Sequence, residues 1–342
     1  MKPYVHKAKA RLTIALVFLL GFGTRAEDWP QWRGPNRDNA WNEKGVLKTF
    51  PADGLKIRWR APVGPGWSSP VVANDRVFLT DMRLDKPRAW ERIQCFKEKT
   101  GKRVWSRESE LVYPEWAFNQ ENGGGPAATP IVEKGRIYSL GRNGQVDCLD
   151  AKNGKVIWEI QLGRKYEIRE LQCRASPLIE GNLLIVVPGA VPGACVIALD
   201  KNTGKEIWKA LPESLSSSSP LIIQAGGKRQ LIVWTAASVT SLNPETGESY
   251  WRQAMATSGN DSIPTPVVQG NHLLVSGLMF DLGANTPTPT ILWPETLAPS
   301  KRILSNTSTP LLLGDHVYSA KSNGELVCLN ARTGQQVWGT TN

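Results

Sequence analysis

The chain has 342 residues, enough for one large domain or two ordinary ones; its hydrophobic content of 41% is ordinary, and 31 Gly, 24 Pro and 14 Trp point to many turns and an aromatic-rich core. The formal charge of +10 does not mark a nucleic-acid binder. Residues 1–26 hold five Lys/Arg and no acid, so from residue 27 onward 36 bases stand against 31 acids, a balance of +5, and those bases are scattered rather than gathered on one face.

Residues 1–26 read as a secretory signal. Lys2, Lys7, Lys9 and Arg11 form the basic start, "LTIALVFLLGFG" (12–23) the apolar stretch and "TRA" (24–26) a small-x-small cleavage site. The apolar stretch is short for a membrane span. The mature protein is therefore expected to be secreted or periplasmic, with no integral membrane span after signal removal. Residues 27–53 form an N-terminal arm whose start, "DWPQWRGPNRDNAW" (28–41), carries three Trp and no periodicity. It is expected to pack as an extended segment across the domain. The stretch "GLKIRWRAPVG" (54–64) has the character of a solitary strand: Gly, alternating apolar residues, then Trp59.

From there the sequence repeats. A Ser/Thr-Pro pair followed by apolar residues recurs with its prolines at 70, 130, 177, 220, 266 and 310, and a Gly-x-x-x-Trp phrase ends at 105, 158, 208, 251 and 338 on the same beat. Two independent markers with one period of about 45 residues define six repeats. Each reads as four short strands, and the Asp/Asn and Gly between the third and fourth are what a tight hairpin demands. Four antiparallel strands per repeat predict an all-β fold, a β-propeller of four-stranded blades at about 66–110, 127–163, 175–212, 217–257, 263–304 and 307–340. One such blade cannot bury both faces alone, so the blades stack around an axis. Trp59, Trp105, Trp158, Trp208, Trp251 and Trp338 are then structural, filling the gaps between neighbouring blades. The fifth repeat lacks the Thr-Gly-x-x-x-Trp ending; Trp293 is expected in its third strand and "SKRIL" (300–304) as its fourth. With a lone fourth strand at 54–64 and a complete sixth repeat at the end, an incomplete ring of seven or eight blades is expected, its remaining strands lying beyond residue 342.

"CLDAKNGKVIW" (148–158) and "ALDKNTGKEIW" (198–208), together with the Ser-Pro strand openings, resemble the pyrroloquinoline-quinone (PQQ)-type propeller repeat, and the resemblance covers residues 28–342. It implies one of two roles. One is a non-enzymatic binding scaffold like the propeller lipoprotein of the outer-membrane β-barrel assembly machine, with a protein or cell-envelope component as partner. The other is a PQQ- and calcium-dependent dehydrogenase. A carbohydrate-active propeller enzyme, with two carboxylates near the mouth, is a third reading.

The residues favour the scaffold, with no catalytic residue, no metal site and no cofactor expected. Cys95, Cys148 and Cys328 fall at one repeat position, filled elsewhere by Ala198 and Ser241, and so read as small packing residues. Cys173 and Cys195 remain as a pair that an oxidising compartment would allow to join. The adjacent Cys pair that the quinoprotein resemblance implies does not occur. His6, His272 and His316 make no zinc set, and the Gly-Lys pairs lack the other residues of a phosphate loop. The first Pro-to-Pro interval is longer than the others and holds "LVYPEWAFNQENGGGPAATP" (111–130). Loops that lead into first strands share one end of a propeller, where ligands bind. The candidate ligand residues are Trp67, Glu115, Trp116, Glu121, Arg174, Asp261 and Asn306. Arg142 and Asn143, on a turn after a second strand, are expected at the opposite end or on the rim.

Overall fold

A computed structural model describes residues 27–114, 124–169, 171–213, 217–257, 262–294, 304–305, 307–321 and 323–340. These contain 24 strands in six four-stranded antiparallel sheets, each in simple up-and-down order. They are the six blades. In chain order the blades run Val71–Leu111 (β1–β4), Ile131–Gln161 (β5–β8), Leu178–Ala210 (β9–β12), Leu221–Ala254 (β13–β16), Val267–Trp293 (β17–β20) and Leu311–Gly339 (β21–β24). The expected signal, residues 1–26, lies outside the described residues.

The core lies between blades rather than within any one of them. Strand alternation puts one set of side chains on each sheet face, and five apolar clusters fill the five interfaces from blade one to blade six. Phe78, Ile93 and Cys95 of blade one, for example, meet Ile137 and Leu149 of blade two. Tyr138 and Cys148 on the other face of blade two meet Leu184, Ile197 and Leu199 of blade three. In every blade the third and fourth strands shift register by one residue after a fixed position, at Cys95, Cys148, Ala198, Ser241, Met279 and Cys328. The fourth-strand Trp pairs directly across from that position, as in Cys148↔Trp158 and Ala198↔Trp208. A small or flexible residue there leaves room for the indole, which accounts for three of the five cysteines. All five cysteines are buried and free, Cys173 and Cys195 included.

The Trp does not pair with the Gly of its own repeat. Its ring lies on the hairpin Gly of the next blade, and its N–H donates to the carbonyl three residues before that Gly. Trp105 Nε1 donates to Ala151 O at 3.1 Å and covers Gly154; Trp158 donates to Lys201 O at 3.1 Å and covers Gly204; Trp208 donates to Pro244 O at 3.1 Å and covers Gly247. Each of these glycines has a positive φ, and a Cβ there would come within 2.6–2.7 Å of the ring. Glycine is thus required twice over, by backbone and by contact.

Three expectations need correction. Trp293 sits in the fourth strand of blade five, β20, not the third: its N–H donates to Ala331 O at 2.7 Å and its ring covers Gly334, as in the other blades. A long connection between β19 and β20 replaces the hairpin there; of the expected fourth strand, residues 300–303 lie outside the described residues. Because blade five has no hairpin Gly, Trp251 packs on Phe280 instead, centroids 5.6 Å apart, and donates to Gln230 Oε1 at 2.9 Å. Residues 54–64 form no ladder, so they are not a strand. Yet Trp59 makes the Trp contact on blade one, donating to Glu98 O at 2.6 Å over Gly101. The segment is pinned further by the Gly64 amide donating to buried Asp81 Oδ2 at 2.6 Å.

The arm runs among the innermost strands. Trp29 bridges to Val72 of blade one, Val132 N of blade two donates to Pro30 O at 2.8 Å, and Arg37 Nη1 donates to Pro177 O of blade three at 2.9 Å. Trp32 Nε1 reaches Thr265 Oγ1 of blade five at 3.0 Å. One short segment therefore ties four blades together around the axis.

Candidate functional site

The Ser/Thr-Pro motif builds the site. The residue just before each Pro uses its side-chain oxygen to accept the backbone N–H of its counterpart in the preceding blade: Ser69 N to Thr129 Oγ1 (3.0 Å), Thr129 N to Ser176 Oγ (3.0 Å), Ser176 N to Ser219 Oγ (2.9 Å) and Thr265 N to Thr309 Oγ1 (3.0 Å). Proline fixes the strand start and has no N–H of its own to place. The hydroxyl satisfies an amide that packing has removed from water. Between blades four and five the Thr265 hydroxyl is taken by Trp32, and Ser218 Oγ donates to Pro264 O at 2.8 Å instead. This belt encircles the end of the axis where the chain leads into each first strand.

Inside the belt is a cavity of about 650 Å³. The residue three before each Pro lines it in all six blades: Trp67, Ala127, Arg174, Ser217, Ile263 and Thr307. The arm contributes Trp32, Arg33 and Asn39, and Arg142 joins from blade two. Arg142 was expected at the far end or rim. Antiparallel alternation brings the turn after a second strand back to the end where first strands begin, so Arg142 faces the same mouth as Trp67 and Arg174. Its neighbour Asn143 instead borders a small crevice between blades one and two.

The backbone of Arg142 is held from below by a buried carboxyl. Glu91 accepts the Arg142 amide (3.2 Å to Oε1, 3.1 Å to Oε2) and the Tyr113 hydroxyl at 2.8 Å. Burial pushes the Glu91 carboxyl up to about 7, against the pull of those two donors. Burial also draws the Arg33 guanidinium down to about 10, and that of Arg142 downward, helped by the neighbouring positive charge of Arg174. The described lining thus carries three arginines, several hydroxyls and two indoles, and no carboxylate.

Of the residues expected at the mouth, Trp67 and Arg174 lie together in the cavity wall. Glu115, Trp116, Glu121, Asp261 and Asn306 lie outside the described residues. The sequence reading missed Trp32, Arg33, Arg142 and Ser217. Arg174, Ser217 and Trp67 share the position three before Pro, a register signal that points straight at the lining. Among the described residues no three His, Cys, Asp or Glu side chains come together as metal ligands. Among the described lining residues there is no carboxylate to balance the charge of the calcium that accompanies PQQ.

A second feature is the face of blade six turned away from blade five. Leu311, Tyr318, Cys328 and Trp338 are register partners on that face. Leu311, Leu313 and Leu326 are exposed, and Trp338 is 47% exposed where Trp293 is 7%. Among the described residues no hairpin Gly covers the Trp338 ring.

No helix among the described residues is long and apolar enough to cross a membrane. The model of the outer membrane protein assembly factor BamB family matches residues 89–340. The chain is 26% identical over 265 residues to the outer membrane protein assembly factor BamB of Burkholderia pseudomallei, covering 71% of this chain and 64% of that protein. With the Shewanella oneidensis BamB it shares 22% identity over 294 residues, 83% of this chain and 60% of that protein. The chain therefore spans less than two thirds of either relative. A shorter match, 29% over 154 residues, covers 40% of this chain and 25% of the quinoprotein alcohol dehydrogenase PedH of Pseudomonas putida. Among solved structures, BamB from Moraxella catarrhalis superposes with a TM-score of 0.53 at 18% identity, over 80% of this chain and 72% of that one, which shows the shared propeller fold. With six PQQ-type blades and a family match over most of its length, the chain belongs to the outer membrane protein assembly factor BamB family.

Proposed function

We propose that this propeller is a binding scaffold of the cell envelope, without catalysis of its own, that holds protein partners during outer-membrane protein assembly. Family membership and the names of its relatives support the setting. The observation that carries this reading is the match of the BamB family model to residues 89–340, which reaches all six blades.

Photo-crosslinking from position 326 in envelope preparations of the source organism tests this. Outer-membrane assembly proteins are expected among the adducts. Absence of assembly proteins from the adducts overturns the scaffold reading. So does saturable, dye-linked alcohol oxidation on adding PQQ and Ca²⁺, which is the outcome a quinoprotein dehydrogenase would give.

A further inference from the structure

We propose that the mouth cavity is a binding site for a small multivalent oxyanion, a phosphate or polycarboxylate, held by Arg142 of blade two and Arg33 of the arm with the Ser217 hydroxyl of blade four. The site is independent of the blade-six face. Arg142 and Arg33 are each only 5% exposed, and Ser217 9%. The Arg142 guanidinium makes no hydrogen bond among the described residues, and its Nε is buried without a partner. Arg33 makes one long bond, Nη1 to Pro266 O at 3.3 Å, and its Nε is likewise unpartnered. Ser217 Oγ is the third unsatisfied polar atom in the same wall.

Three such atoms border this one cavity, while others, among them Nε and Nη2 of Arg37, lie elsewhere. A buried polar group without a partner is costly, and an unpaired buried charge more so. The three at the cavity belong to groups with one shared complement. Guanidinium forks and a hydroxyl pair with the oxygens of carboxylate or phosphate. A neutral ligand would add no negative charge to what Asp38 offers Arg33 and Glu91 offers Arg142, and a cation would add to the repulsion between Arg142 and Arg174. The cavity, about 650 Å³, admits a molecule of citrate size. Bound there, an anion would join blades two and four to the arm that fills the axis.

The test is titration of the protein with inorganic phosphate and, separately, citrate at constant ionic strength, followed by tryptophan fluorescence and thermal melting. Trp32 and Trp67 border the cavity and supply the optical signal. At least one anion should give a saturable fluorescence change and raise Tm above a chloride control, because ligand bound to the native state stabilises it. A response to phosphate alone or to citrate alone assigns the ligand class. Arg142→Gln should weaken binding about tenfold or more, and Ser217→Ala several-fold. Arg229→Gln, which removes an exposed arginine paired with Glu180 on the outside of the propeller, should leave binding unchanged. No saturable response to either anion, or equal affinity in Ser217→Ala and whichever arginine variant folds, overturns the proposal.

Discussion

At the residue scale, the Gly-x-x-x-Trp phrase was legible as a repeat marker, but its physics was not. The Trp and the Gly that it serves belong to different repeats, so one repeat read alone pairs the wrong partners. Gly204 and Gly181 separate the two demands on such a glycine. Both have positive φ, but a Cβ on Gly204 would meet the Trp158 ring at 2.7 Å while one on Gly181 would meet nothing within 4 Å. Gly181→Ala should cost about 1 kcal/mol from backbone strain alone. Gly204→Ala adds overpacking and should cost about 3 kcal/mol in all. Urea unfolding midpoints of the two variants check this, and equal losses would show that the indole contact contributes nothing.

At the element scale, strand boundaries and blade number could be read because Pro, Gly and alternation are local signals. Blade five was misread for the same reason. Without a Thr-Gly hairpin, nothing local marks Trp293 as a fourth-strand residue; its role is set by Gly334 in the next blade. The belt of hydroxyls was hidden in a similar way. Ser or Thr before Pro looked like a strand opening, while its purpose is an amide in the preceding blade. Ser176→Ala makes that purpose measurable, since it leaves the fully buried Thr129 amide without its acceptor. A loss of about 1–3 kcal/mol is expected, with faster hydrogen exchange at the Thr129 amide than in the parent protein. Unchanged exchange there would mean that the belt is not what holds blades two and three together at the axis.

At the scale of the whole molecule, the mouth is assembled from six blades, an arm and a turn, and sequence could supply only the parts that share a register. Trp67 and Arg174 could be found by their distance from Pro; Arg33 could not, because the arm has no period and its path through the axis is fixed by contacts with four different blades. Glu91 joins this assembly to global stability, and its sign can be worked out. Its carboxyl titrates near 7 in the folded protein, above the ordinary 4.5. Between those values the native state binds more proton than the unfolded chain, so the Glu91 contribution to stability falls as pH rises through this window and is flat above it. Glu91→Gln keeps an oxygen for the Tyr113 hydroxyl and the Arg142 amide while removing the charge that burial opposes. The variant should therefore lose less stability than the parent between pH 5 and pH 8, and be the more stable of the two at pH 8. Urea midpoints at both pH values decide it. Parallel pH profiles for the two proteins would show that the carboxyl beneath Arg142 is ionised at no net cost, and that the arginines above it already have their counter-charge.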